Sequence, residues 1–344
     1  MLDREDFPPL PSQKRLQDDM QSRSKRTGAM ATRKSGCMAS INDLPDELIL
    51  EILEYLPCLD QEDFQLLSLV SLSRTNRRLH NLVVEKLYAS FDSFFCAPYP
   101  FLRSVMSDQQ LAARIRSMTF KYGVQVHAER APYQPSAADK KIIKEGLKKV
   151  LGVPAWKAWA SDCNDPGAEQ ELLYATILMH TPNVVALDID DGNVPYKIPK
   201  WLDLIRWVVN GSHVDRLHRF THLKSIRIDV WFLKLRHLAP IFRLQSLRRV
   251  RMVGLIDANE AEERKTTELE RLVPPASSPV EELSFRDSFV DIGALSTVLG
   301  YIRGLKHFEY GHTDEKWDSH GRASEDYWLK SRTFGALTMN PSSG

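Results

Sequence analysis

The stretch Leu44-Pro45-Asp46-Glu47-Leu48-Ile49-Leu50-Glu51-Ile52-Leu53-Glu54-Tyr55-Leu56 reads as the opening of a short amphipathic helix. Pro45 suits the first turn, where its missing N–H would be unpaired anyway. Asn42 and Asp43 offer side-chain oxygens to orphan amides, and Asp46 and Glu47 lie at the positive end of the dipole. Leu48, Ile52 and Tyr55 recur at helical spacing with Ile49, Leu53 and Leu56 beside them, so the apolar stripe is wide. Phe64, Leu66, Leu67, Leu69, Val70 and Leu72 form a second apolar segment. Leu79, Leu82 and Val83 form a third, after Ser73-Arg74-Thr75-Asn76-Arg77-Arg78. Three short helices are expected, too small to bury that much leucine alone. The block reads as half of an interface; a plain amphipathic helical hairpin is the alternative.

This order of residues resembles the F-box. The opening Leu44-Pro45-Asp46-Glu47-Leu48 fits Leu-Pro-x-Glu-Leu, and Ile52-Leu53-Glu54-Tyr55-Leu56 fits Ile-Leu-x-x-Leu. The tail reads Leu67-Ser68-Leu69-Val70-Ser71-Leu72-Ser73-Arg74-Thr75-Asn76-Arg77-Arg78-Leu79. It carries extra residues between Val70 and Arg77, and Arg78 stands where an aromatic residue usually precedes the last leucine. The resemblance spans residues 41–90. It implies docking onto the Skp adaptor of a cullin–RING ubiquitin ligase through Leu44, Pro45, Leu48, Ile52, Leu53, Leu56, Leu67, Val70, Leu79 and Leu82, some of which would instead form the internal core of the three helices. It further implies a non-enzymatic subunit that raises the effective concentration of an unidentified protein substrate near the ubiquitin-charged enzyme. The competing reading is a stand-alone interaction scaffold that acts in no ligase.

The 344 residues are enough for two domains, and the net charge of +1 gives no global pull toward nucleic acid. No apolar run approaches the ~20 residues that span a bilayer, so no membrane partner is expected. Asp3, Glu5 and Asp6 precede no apolar run, unlike a secretory signal. The four cysteines, Cys37, Cys58, Cys96 and Cys163, form no C-x-x-C pair, which fits a reducing compartment, cytoplasm or nucleus. Residues 1–40 are polar and read as a disordered tail. Within it, Lys14-Arg15 and Lys25-Arg26 read as solvated charge or as a split nuclear-import signal.

Residues 91–110 begin with Phe91, Phe94, Phe95, Tyr99 and Phe101 among prolines and read as a packing linker. Beyond it one unit recurs, apolar-x-x-apolar-x-apolar. It occurs at Ile115/Met118/Phe120, Val184/Leu187/Ile189, Leu223/Ile226/Ile228, Leu247/Val250/Met252, Val280/Leu283/Phe285 and Leu305/Phe308/Tyr310. The last pair in each unit alternates with polar residues, the period of a half-buried strand. Helical patterns precede several units, as in Leu172, Leu173, Ile177 and Leu178. Helix then strand, repeated, predicts parallel strands backed by helices. The irregular spacing resembles the degenerate leucine-rich repeats of many F-box proteins, particularly fungal ones; an ordinary α/β sheet domain is the alternative. The expected fold is therefore α/β: a three-helix F-box followed, over residues 111–344, by an irregular leucine-rich-repeat-like solenoid that recognises substrate. Gly152 to Gly167, with Trp156 and Trp159, and the charged Asp257 to Glu270 read as insertions. Asp326 to Leu337 reads as a final helix, with no strand after it. That leaves either a shortened chain or an atypical cap.

No G-x-S-x-G elbow, phosphate loop or H-E-x-x-H is present, and no cofactor is called for. His213, His218 and His222 cluster without an evident further ligand, and Asp188, Asp190 and Asp191 at a strand end read as solvated. No metal site is expected. In the repeated unit, the residues flanking the middle apolar position point away from the core. Stacking the strands brings Arg227, Arg249 and Arg251 together, with Arg286 approaching from the next strand. Arginine forks suit carboxylate and phosphate, so this group is the candidate substrate-binding site for an acidic or phosphorylated segment. A basic surface patch partly neutralised by Glu282 and Asp188 is the alternative.

Overall fold

The computed structural model describes residues 41–55, 62–122, 133–152, 155–190, 198–211, 217–229, 233–257 and 273–312. The chain divides into two compact units after Leu87. The expected tail at 1–40, the charged segment from 258 to 270, the last helix and His213 lie outside the described residues.

The first unit is helical. A 3-10 turn (Ile41–Asp43) leads into α1 (Asp46–Glu54), followed by α2 (Glu62–Ser73) and α3 (Arg77–Leu87). Ile49, Leu53, Leu69, Leu79 and Val83 form its core, with Leu44, Leu50, Leu72 and Leu82 packed around them. Asn76 caps α3, its Oδ1 accepting from the Leu79 amide at 2.9 Å. At α1 the sequence reading needs correcting. Pro45 takes the cap position itself and supplies no side-chain cap hydrogen bond. The Asn42 side-chain oxygen instead accepts from Asn76 Nδ2 at 2.9 Å.

The second unit is a parallel sheet backed by helices. Its strands are β1 (Ser90–Asp92), β2 (Ser117–Lys121), β3 (Ala186–Asp190), β4 (Ser225–Asp229), β5 (Arg249–Val253), the short β6 (Ile256–Asp257), β7 (Glu282–Val290) and β8 (His307–His312). β1 to β5, then β7 and β8, lie side by side in sequence order, and the sheet is open. β6 pairs with the far end of β7. All these pairings are parallel. Register aligns the repeated units: Met118, Leu187, Ile226, Val250, Leu283 and Phe308 form one buried row. Phe120, Ile189, Ile228, Met252 and Phe285 form the next, within the same core. Entry to each strand repeats one hydrogen-bond motif. The amides of Arg116, Val185, Lys224, Arg248, Glu281 and Lys306 donate in turn to the carbonyls of Ala89, Arg116, Val185, Lys224, Arg248 and Glu281, at 2.7 to 2.9 Å. A main-chain ladder of this kind carries backbone polar groups from one strand to the next.

The expected linker proves to be the first part of this unit. Phe91 lies in β1, buried in the core and paired in register with Met118. Tyr99, Leu102 and Val105 of α4 (Pro98–Ser107) are also buried, and α5 (Gln109–Arg114) follows. The unit at β1 escapes the repeated pattern because Ser93 fills its third position. Ser93 is buried, and its Oγ accepts the Lys121 amide at 2.8 Å.

Helix α4 packs against α8 (Gln170–His180), which packs against α9 (Lys200–Asn210). The short helix α10 (Leu235–Leu238) runs into a 3-10 turn (Ala239–Arg243) that continues this layer. α11 (Ile292–Tyr301) joins β7 to β8. Every residue of α8 from Glu171 to Met179 is buried, as expected for a helix covered on both sides. The second cover comes from α7 (Ala155–Cys163), which itself packs on α6 (Ala137–Val150). The supposed insertion with Trp156 and Trp159 is this α7. Trp159 Nε1 donates to Thr176 Oγ1 of α8 at 2.6 Å, which satisfies a buried indole. Asp139 closes the capping box at the start of α6 and also accepts from the Tyr133 hydroxyl at 2.8 Å.

Candidate functional site

Two surfaces stand out, one on each unit. On the first, α1 is apolar on two sides. Ile49 and Leu53 turn into the three-helix core, at 1% and 2% exposure. Leu48 and Ile52 stay 46% and 44% exposed, Tyr55 extends the same uncovered stripe, and Ile41 in the preceding 3-10 turn is exposed as well. Pro45 is also exposed and Leu44 half-buried. Positions 45, 48, 52 and 55 follow helical spacing, so they share a face. The sequence-expected interface residues therefore sort into groups. Pro45, Leu48 and Ile52 face outward; Leu44 and Leu82 are partly covered; Leu53, Val70 and Leu79 are buried and belong to the part of the set that was expected to form internal core. The reason is phase: Leu53 lies one residue past Ile52, about 100° around the helix. Leu56 and the side chain of Leu67 lie outside the described residues. Ile41 and Tyr55 were not among the expected interface residues, although Tyr55 continues the 48/52 spacing.

Arg78 holds this helix in place. Its Nε donates to Asp46 Oδ1 at 2.7 Å, Nη1 to the Asn42 carbonyl at 2.6 Å and Nη2 to the Leu44 carbonyl. One planar fork thus ties α3 to the chain entering α1. The residue that departs from the aromatic usual at this point positions the exposed stripe.

On the sheet, the side facing away from the helices carries the polar positions. One row in register reads Asp92, Thr119, Asp188, Arg227, Arg251, Ser284 and Glu309. The neighbouring row reads Ser117, Ala186, Ser225, Arg249, Glu282 and His307. The four expected arginines come together: Arg227, Arg249, Arg251 and Arg286 all line an open depression of about 600 Å³ over β4, β5, β7 and β8. Their charges are not equally matched. Arg227 donates to Asp188 at 2.8 Å and lies 3.6 Å from Asp229. Arg286 lies 3.0 Å from Glu309, which also accepts from Ser284 Oγ at 2.8 Å. The Ser284 hydroxyl, then Arg286, and beyond them the charge of Arg251 hold the Glu309 carboxyl below its ordinary value. Arg249 and Arg251 themselves are exposed, and their guanidinium groups make no hydrogen bond or ion pair among the described residues.

The other sequence candidates go elsewhere. Asp188 is taken by Arg227. A ring nitrogen of His218 meets the Leu178 carbonyl at 2.8 Å, while His222 is exposed. No cluster of three or more His, Cys, Asp or Glu able to hold a metal occurs among the described residues. No helix among them is long and apolar enough to cross a membrane.

Compared with known families, residues 41–92 match the F-box-like model. The match covers the first unit as described and runs into β1. A search of curated proteins finds no match to the chain.

Proposed function

We propose that this chain is the substrate-recognition subunit of an SCF-type cullin–RING ubiquitin ligase. F-box domains in general bind Skp-type adaptors, and residues 41–92 carry such a domain. The observation that carries the reading here is the uncovered face of α1. Pro45, Leu48, Ile52 and Tyr55 form an apolar stripe that the helical unit leaves in water while Ile49 and Leu53 complete its core. Large apolar side chains in a continuous stripe are the expected signature of a protein interface. In this reading Leu48 and Ile52 are anchors on the adaptor, and the sheet unit presents the substrate as a degenerate leucine-rich-repeat-like solenoid. Sequential parallel strands, aligned buried rows and a main-chain ladder repeated at each strand support that description. The subunit supplies no catalytic group. It works in the cytoplasm or nucleus by holding substrate close to the charged enzyme.

The experiment is co-expression with the adaptor and cullin, followed by affinity purification. The wild-type chain is expected to retain both. The Leu48→Asp/Ile52→Asp chain should lose both with its far-UV spectrum and melting temperature unchanged, because the two side chains contribute little to the internal core. Retention of the adaptor by the double variant counts against the interface. Capture of adaptor without cullin by the wild type favours a scaffold outside any ligase.

A further inference from the structure

We infer that the outward face of the sheet receives an extended acidic segment of a protein partner, with two carboxylates at alternate positions seated on Arg249 and Arg251. The inference rests on the reading of the sheet unit as the substrate-presenting part, and deepens it.

The argument begins with unmatched charge. Arg227 and Arg251 are direct neighbours in register across β4 and β5, and Arg249 lies two residues along β5 on the same face. Like charges side by side on a sheet repel. Asp188 and Asp229 answer only one of the three, because both engage Arg227. Glu309 is taken by Arg286 and Ser284. Glu282 lies beside Arg249 in register, exposed and beyond ion-pair distance. β5 is also more open on this face than the strands before it. Outward residues of β2, β3 and β4 are half-buried, whereas Arg249 and Arg251 are exposed. Two adjacent, water-facing guanidinium groups therefore remain that no carboxylate among the described residues neutralises by contact.

Geometry then sets the form of the ligand. Alternate residues of a strand are spaced about 6.5 Å apart. An extended segment running along β5 repeats that spacing, so acids at positions i and i+2 meet Arg249 and Arg251 together. A segment crossing the strands would fare worse. Along the row of Arg251 its acids would meet Asp188 on one side and Glu309 on the other, and along the row of Arg249 they would meet Glu282. The flanking acids thus select both direction and spacing. Each guanidinium offers a planar fork suited to one carboxylate.

The test uses the full-length chain and fluorescein-labelled peptides in anisotropy titrations at low and physiological salt. The probes are a Ser/Thr peptide with Glu at alternate positions, its isomer with the two Glu adjacent, the Gln analogue, and a peptide with one phosphoserine. The alternating peptide is expected to bind at least about tenfold tighter than the adjacent isomer and the Gln analogue, and to weaken with salt. Arg249→Glu/Arg251→Glu should lose at least about tenfold in affinity and gain binding of an alternating Lys peptide. Arg249→Gln/Arg251→Gln, which removes the repulsion, should lose the acidic peptide while melting no lower than wild type. Equal binding of the two isomers, tenfold preference for the phosphoserine peptide, or undiminished binding by either variant would overturn the inference. Adaptor capture by the same variants is read separately. Its retention with peptide binding lost supports this site, and its loss in the Leu48/Ile52 variant bears only on the ligase reading.

Discussion

Arg78 shows how one side chain can set a surface it does not belong to. Its guanidinium bonds two carbonyls and a carboxylate at the entry to α1. The ion pair with Asp46 is half-exposed and adds little, so the two carbonyl bonds matter most. Arg78→Ala should cost about 1–2 kcal/mol in the helical unit and weaken adaptor capture although Arg78 lies off the exposed stripe. Arg78→Lys should rescue little, since an ammonium lacks the fork. Denaturant titration and pull-down of the two variants check this, and full rescue by lysine would refute the fork. In the sheet unit, His180 is half-buried, but its Nε2 is shut off from water and has no hydrogen-bond partner among the described residues. Burial, then the neighbouring charges of His218 and Lys149, pulls its pKa down to about 4. The folded state thus keeps the ring neutral where the unfolded chain would protonate it. Stability from this residue is complete above about pH 6.5. It falls as the pH drops toward about 4, and His218, also lowered chiefly by burial, acts in the same direction. Urea titrations between pH 7.5 and 4.5 should show this slope, and His180→Met should flatten part of it. An unchanged slope would show that His180 does not titrate in this way.

At the scale of elements, α1 separates two kinds of leucine. Leu53 is 2% exposed inside the helical core and Ile52, its neighbour, is 44% exposed. Leu53→Ala should cost about 2–5 kcal/mol as a cavity-forming change. Ile52→Ala should leave the melting curve within about 0.5 kcal/mol of wild type while weakening adaptor binding. Thermal unfolding and pull-down on the same two proteins separate these effects; equal destabilisation would mean that α1 is covered on both sides. Helix α8 makes the complementary point. Its residues Glu171 to Met179 are all buried because α7 adds a second cover, with Trp159 bonded to Thr176, while the Glu171 carboxylate accepts the Lys200 amide. The Trp-bearing segment reads as an insertion in the sequence because nothing local announces that it covers another helix.

For the whole molecule, the sequence by itself determined the order of parts: a three-helix block matching the F-box, then parallel strands marked by a repeated triplet of apolar residues. Those triplets were legible because a half-buried strand must alternate and a strand entry must bury one more side chain, and Ile115, Met118 and Phe120 do so at 0% exposure. β1 was not legible, since Ser93 fills a buried position by accepting the Lys121 amide, and a polar residue there breaks the pattern. The proximity of Arg227, Arg249 and Arg251 followed from strand stacking alone. Which of them is already neutralised did not. Tertiary structure decided that Asp188 and Asp229 engage Arg227 while Arg249 and Arg251 keep their charge toward water. It likewise decided which F-box leucines turn inward. The physical reason is common to both: periodicity fixes the face a side chain occupies, but partnership depends on what the neighbouring element brings to that face.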